Sequence, residues 1–313
     1  MLALEWQPRP QAFDARLATT YQQALRVRAE TEQMIELAAA ASRALAALEL
    51  TSTPALARLG LAPEQIDLVW AIVACSIDAR LVPHLETLGG SHARRGLSLS
   101  VYAMLAELAD DSVARLAHWL AGANLLVSLG LIVSAEPGVS PAARAYVASS
   151  RLIALLRDEE HAIAPLQIVA APDQLLHDAD QLATIREIRA ALARSAHPVL
   201  VIEGPLGAGR TTACACAAGA DLIVLDLAKL TSSELGDALI ALRREALLRD
   251  RIPVLANVDQ MLGEDRRDER RVIGAFVEHV AGPLFVTTTV PGTDLGAQRA
   301  MVRIGWNVPG LAV

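Results

Sequence analysis

His197-Pro-Val-Leu-Val-Ile-Glu-Gly-Pro-Leu-Gly-Ala-Gly-Arg-Thr-Thr212 is the stretch on which the fold turns. Val199 to Ile202 is an unbroken apolar run, the mark of a strand buried on both faces. Gly204, Gly207 and Gly209 follow, and then a helix start. The stretch fits the phosphate-loop pattern G-x-x-x-x-G-K-[ST] at every defined position except one: Arg210 stands where the lysine belongs.

A glycine-rich turn between strand and helix presents backbone N–H groups to phosphate, and the helix dipole adds to the attraction. Gly204, Gly207 and Gly209 permit that close approach, with Pro205 and Ala208 completing the loop. Thr211 is placed to ligate Mg²⁺, and Thr212 supports the helix start. Lysine is a compact point charge that reaches phosphate. Arginine is larger and planar, so the exchange is not conservative. Only one of the 28 basic residues, Lys229, is lysine, an arginine and alanine bias of the kind a high-GC bacterial genome produces.

Outward from the loop, strand and helix alternate. Residues 198–203, 221–227, 252–259 and 284–289 read as short apolar strands, and 302–308 as a weaker fifth. An amphipathic helix over Asp180 to Ser195 precedes them. This alternation predicts a parallel sheet covered by helices on both faces. About 50 residues after the loop, the run Ile252 to Asp259 ends in a carboxylate. Asp259 is the candidate Mg²⁺-binding acid. A hydrolysing enzyme wants a second carboxylate just after it to orient and deprotonate water. Gln260 holds that position and cannot take a proton. Thr289 ends the next strand, where a group sensing the γ-phosphate would sit.

These segments resemble the core of an AAA+ ATPase. Gly204-Pro-Leu-Gly-Ala-Gly-Arg-Thr211 is similar to the family's G-P-P-G-T-G-K-T, Val254 to Gln260 to its h-h-h-h-D-E strand, and Thr288-Thr-Val-Pro291 to its T-N-R-P segment. Asp226-Leu-Ala-Lys-Leu230 also resembles the family's segment after the second strand. The resemblance implies ATP or ADP as cofactor, with Mg²⁺ on Thr211 and Asp259. Three departures, at Arg210, Gln260 and Thr289, imply a degenerate module, weak or inactive in hydrolysis. Arg299 or Arg303 is the candidate for an arginine finger. The family's small helical lid has no counterpart before Val313, which suggests the front part of a longer tandem protein.

Upstream, residues 11–49 carry apolar positions at helical spacing, and Thr51 to Pro63 is a link broken by Pro54, Gly60 and Pro63. Helices are expected at 63–80, 81–88, 98–108 and 111–129, then a short strand and turn over 130–138, and a helix start at Ser140-Pro141. Residues 158–178 read as a connector. The boundaries are thus a helical segment over 1–50, a mostly α-helical, winged-helix-like domain over 51–165, and a P-loop α/β core over 166–313. This upstream region is similar to the variant winged-helix segment before tandem AAA domains in some large bacterial ATPases, some of them encoded with contractile injection systems.

Composition narrows the partners. The chain has 313 residues and a net charge of −7, which argues against a broad nucleic-acid surface. The candidate recognition helix 111–129 carries one arginine, Arg115, beside Asp110 and Asp111; the nearest basic knot is His92-Ala-Arg94-Arg95. Three cysteines, Cys75, Cys214 and Cys216, make no disulfide framework, so a reducing, cytoplasmic setting is expected. The most apolar stretch, Leu120 to Ala135, is too short and too polar for a membrane span. The expected partners are other AAA+ modules or a protein client, with no nucleic acid and no membrane. The rival readings are an active ATPase in which Arg210 does the work of lysine, and an interaction scaffold that takes no nucleotide.

Overall fold

The computed structural model describes residues 59–308, apart from 90–93, 107, 122–123, 135–138, 140–142, 158, 160–163, 173–177 and 264. The expected helix over 11–49, most of the link that follows it, and His92 lie outside the described residues. The chain divides into two units between His161 and Ala162. Among the described residues, no helix is long and apolar enough to cross a membrane.

The first unit opens with α1 (Pro63–Ile77), a 3-10 turn (Ala79–Leu81) and α2 (Val82–Gly89). Then come β1 (Leu97–Ser98), α3 (Leu99–Leu105), α4 (Asp110–Ala121), α5 (Leu125–Ser128), β2 (Ile132–Ser134), β3 (Ala145–Ala148) and α6 (Ser150–Leu156). The three strands form an antiparallel sheet in the order β1-β3-β2. Leu68, Ile72, Leu99, Leu126, Leu131, Tyr146 and Leu152 are buried in its core. Ser76 ties helix to sheet: its Oγ donates to Ile72 O at 2.7 Å and accepts from Ala148 N–H at 2.8 Å.

Two expectations for this unit need correction. The helix expected over 111–129 is two helices, because Asn124 caps α5 with its Oδ1 on the Leu126 N–H. Ser140 and Pro141 lie outside the described residues, but the chain after them is strand β3, not helix. The helix starts at Ser150, with Ser149 as the cap that accepts from Leu152 N–H.

The second unit is an α/β layer structure. Its elements are β4 (Leu166–Val169), α7 (Ala179–Arg194), β5 (Val199–Glu203), α8 (Arg210–Ala218), β6 (Leu222–Asp226), α9 (Leu235–Arg249), β7 (Ile252–Ala256), α10 (Arg267–His279), β8 (Leu284–Thr288) and β9 (Met301–Gly305). The six strands run in the order β4-β6-β7-β8-β5-β9. All neighbours are parallel except β4, which pairs antiparallel with β6. Side chains alternate across the strands. Val199, Val201, Ile223, Leu225, Leu255 and Val286 meet α9 and α10 on one face. Leu200, Ile202, Leu222, Val224, Val254 and Phe285 meet α7 and α8 on the other.

Strand β4 lies inside the stretch expected to be a connector. Its burial runs half-buried, exposed, exposed, half-buried, so it offers neither an apolar run nor an apolar-polar alternation. It is a strand because β6 pairs with it along Leu166–Val169. The second correction is at β7. The apolar run ends as a strand at Ala256, and Asp259 lies beyond it on a 3-10 turn, Val258–Met261.

Candidate functional site: the glycine loop and the strand ends around it

The glycine loop leaves the carboxyl end of β5 and enters α8 at Arg210. From β5 the chain turns to the face that carries α8, while β8, its neighbour in the sheet, runs on through Leu295 on the opposite face. The two connections therefore leave for opposite faces of the sheet. In open α/β sheets such a switch point is where ligands sit.

Each loop glycine answers a different demand. Gly207 and Gly209 both have φ of +79°, a region that costs a side chain strain. Gly204 is needed for space: a Cβ there would lie 2.1 Å from the Trp306 carbonyl oxygen. Its N–H donates to Thr288 O at 3.1 Å, which ties the loop to the end of β8. Trp306, just past β9, is buried and donates from Nε1 to Ala208 O at 2.7 Å. The Ala213 N–H closes the first bond of α8, to Gly209 O at 2.9 Å. The N–H groups of Arg210, Thr211 and Thr212 precede that bond and are the free donors of the helix start. Pro205, Leu206 and Gly207 are exposed on the loop's outer side.

Arg210 does not reach outward. Its side chain is 5 % exposed, and Nη2 donates to Asn257 Oδ1 at 2.7 Å. Nη1 is buried with no hydrogen-bond partner. Burial pushes its pKa below the ordinary arginine value, and the Asp259 charge works against that. Asn257 is the residue that the sequence reading missed. It directly follows β7 in the left-handed conformation, φ 56°, which asparagine tolerates. Its Nδ2 donates to Asp226 Oδ1 at 2.8 Å, and its N–H donates to Thr287 Oγ1 at 3.1 Å. One asparagine thus joins the ends of β6, β7 and β8 to the first residue of α8. The signal was there to find, a polar side chain directly after the apolar run.

Asp259, Gln260 and Thr289 do come together, but with one another. Asp259 Oδ1 accepts from the Thr289 N–H at 2.9 Å, and Oδ2 accepts from Thr289 Oγ1 at 2.6 Å and from Gln260 Nε2 at 3.0 Å. Burial works to raise the Asp259 pKa, but the Thr289 bonds and then the Gln260 bond outweigh it and hold the carboxyl below its ordinary range. Thr211 and Thr212 are half-buried on the first turn of α8.

The pair expected to hold Mg²⁺, Thr211 and Asp259, does not fit the ion. Mg²⁺ is bound through one or two carboxylates together with substrate phosphates. The end of β7 carries Ala256, whose side chain has no ligating atom, and Asn257, whose Oδ1 is taken by Arg210. Both oxygens of Asp259 face Thr289 and Gln260. Among the described residues, no group of three or more His, Cys, Asp and Glu is placed to hold a metal.

Neither arginine considered as a finger extends toward a partner. Arg299 donates to the carbonyls of Val277 at 2.9 Å, Val280 at 3.0 Å and Gly282 at 3.2 Å, and also to that of His197. Arg303 pairs with Glu203 at 2.7 Å and donates to Thr293 O at 2.7 Å. Both staple the unit internally. Compared with known protein families and with curated protein sequences, the chain matches none.

Proposed function

We propose that the second unit is a degenerate AAA+-type nucleotide-binding module that holds ATP or ADP weakly and hydrolyses it negligibly. The observation that carries this reading is the glycine loop at the β5–β8 switch point, with free helix-start donors above a buried guanidinium. The missing general base supports the loss of hydrolysis. Gln260 cannot accept a proton, and loss of such a group removes about 10²–10⁴-fold in rate. The first unit supports the wider reading: helices lead into a small β1-β3-β2 antiparallel sheet, an arrangement in keeping with a winged-helix-like module. We place the chain as an assembly or regulatory part of a larger bacterial ATPase. Its partners would be other AAA+ modules or a protein client, in the cytoplasm, with contractile injection systems one such context.

The test is titration of the full chain with a fluorescent ATP analogue, beside a phosphate-release assay. We expect measurable binding that is lost in Gly209→Val, where a Cβ meets no atom within 4 Å but the φ of +79° strains the loop, with urea unfolding of the variant checking that the sheet still folds. Turnover should lie far below about 1 s⁻¹, the low end of ordinary enzyme rates. Turnover near that value, abolished by Asp259→Ala, would establish an active ATPase instead. One observation favours the scaffold reading: Arg210 is already committed to Asn257. Absence of any binding would select it.

A further inference from the structure

We propose that the second unit carries a further binding site, for a small organic anion whose apolar body bears one anionic group. The site is a groove bounded by α7, the C-terminal end of α8 and the chain just after β4. Its α8 residues, Cys216 and Gly219, lie at the opposite end of that helix from the glycine loop, and the proposal does not rest on the nucleotide reading.

The groove has a volume of about 460 Å³, within the range of small-molecule sites. Leu182, Ile185 and Pro172 give it an apolar wall. Leu182 is 46 % exposed while Ile185 beside it is buried, so the wall leaves apolar surface in water that the body of a ligand would cover. Arg186 and Arg189, neighbours on one face of α7, also line the groove. Backbone carbonyls hold both in place. Arg186 Nε donates to Leu182 O at 3.2 Å. Arg189 donates from Nη2 to Cys216 O at 2.9 Å and from Nε to Ala217 O at 3.3 Å, on the last turn of α8. The Cys216 thiol feels that guanidinium: burial raises its pKa, and the Arg189 charge works against the rise. Among the described residues no carboxylate pairs with either arginine, and the terminal nitrogens of Arg186 and Nη1 of Arg189 have no protein acceptor. Asp221, two residues past Gly219, is paired with Arg251 at 3.2 Å. Two fixed guanidiniums without an acid, in a chain of net charge −7, are complementary to an anion. Guanidinium is weakly hydrated, and its planar fork suits a carboxylate or a similar group.

The experiment is titration of the full chain with anilinonaphthalene sulfonate, a fluorescent apolar body with one anionic group, beside phenylnaphthylamine, the same body without the charge. We expect the sulfonate to bind about tenfold more tightly or better. Added salt should weaken the sulfonate alone. Arg186→Gln should weaken the sulfonate about fivefold or more and leave phenylnaphthylamine unchanged. Arg186 is exposed and its one bond is within its own helix, so this variant keeps the fold, which urea unfolding checks. Leu182→Asp sets a carboxylate beside Arg186 in the apolar wall and should weaken both probes. Equal affinity for the two probes overturns the proposal, as does the absence of sulfonate binding. Sulfonate binding that survives both Arg186→Gln and Leu182→Asp overturns it too. Binding kept in Arg186→Gln and lost in Gly209→Val would place the probe on the glycine loop and also overturns it.

Discussion

Gly204 and Gly207 are both loop glycines, yet different forces hold them. At Gly204 a methyl group would be driven into a backbone carbonyl, 2.1 Å away, that belongs to Trp306. Backbone cannot swing aside as a side chain does, so Gly204→Ala should destabilise the chain by about 3 kcal/mol. Gly207→Ala meets no atom within 4 Å and should cost only about 1 kcal/mol, for its positive φ. Urea unfolding of the two variants checks the ranking; equal losses would show that the Trp306 contact yields freely. Asn257→Ala strips Arg210 of its acceptor and leaves both terminal nitrogens buried and unpaired. A loss of about 2–3 kcal/mol in the same assay is expected. Asp259 sets a pH dependence. Its folded pKa is held below the unfolded value, so its contribution is full above the unfolded pKa and is lost as pH falls through the folded one. Asp259→Asn should therefore shrink the difference in urea midpoint between neutral and strongly acid solution. An unchanged acid limb would mean the Thr289 bonds do not outweigh burial.

At the scale of elements, the parallel strands β5 to β8 were legible because strands buried on both faces must be apolar throughout. Val199 to Ile202 and Leu222 to Leu225 are such runs. What was not legible is what pairing alone decides. Strand β4 has only half-buried and exposed positions, and it exists because β6 offers it an edge. The end of β7 was overrun for a related reason. Val258 is buried and apolar like the strand before it, but it belongs to a 3-10 turn that follows the left-handed Asn257. That slip moved the acid from the strand end to a turn, and with it the expected metal site. Glycine spacing marked the loop because glycine answers to the backbone itself. The clamp on the loop was hidden, since Trp306 is far off in sequence and its indole N–H bonds to a backbone carbonyl. Trp306→Phe keeps the ring buried and removes that bond. A loss of about 1 kcal/mol is expected, with faster hydrogen exchange at the loop N–H groups as the local readout.

At the scale of the whole chain, each unit has a core of its own. In the second unit the sheet separates two buried clusters, and each is closed by helices drawn from residues 179–279. In the first, α1, α3, α5 and α6 bury Leu68, Ile72, Leu99, Leu126 and Leu152 around three short strands. On α4, Asp110 and Asp111 lead the exposed residues, and Arg115 is paired with Glu64 at 2.9 Å. The only other basic side chain on that helix is His118. Duplex DNA binds through phosphate contacts that release counterions, so a true site would show affinity falling steeply with salt. The full chain should show no such salt-sensitive binding. Because every strand of the six-stranded sheet lies between residues 166 and 305, a fragment spanning 162–313 should fold by itself. It should unfold in urea as one cooperative transition. A fragment that lacks such a transition would show that the second core depends on residues before 162, and that the two units are one folding body.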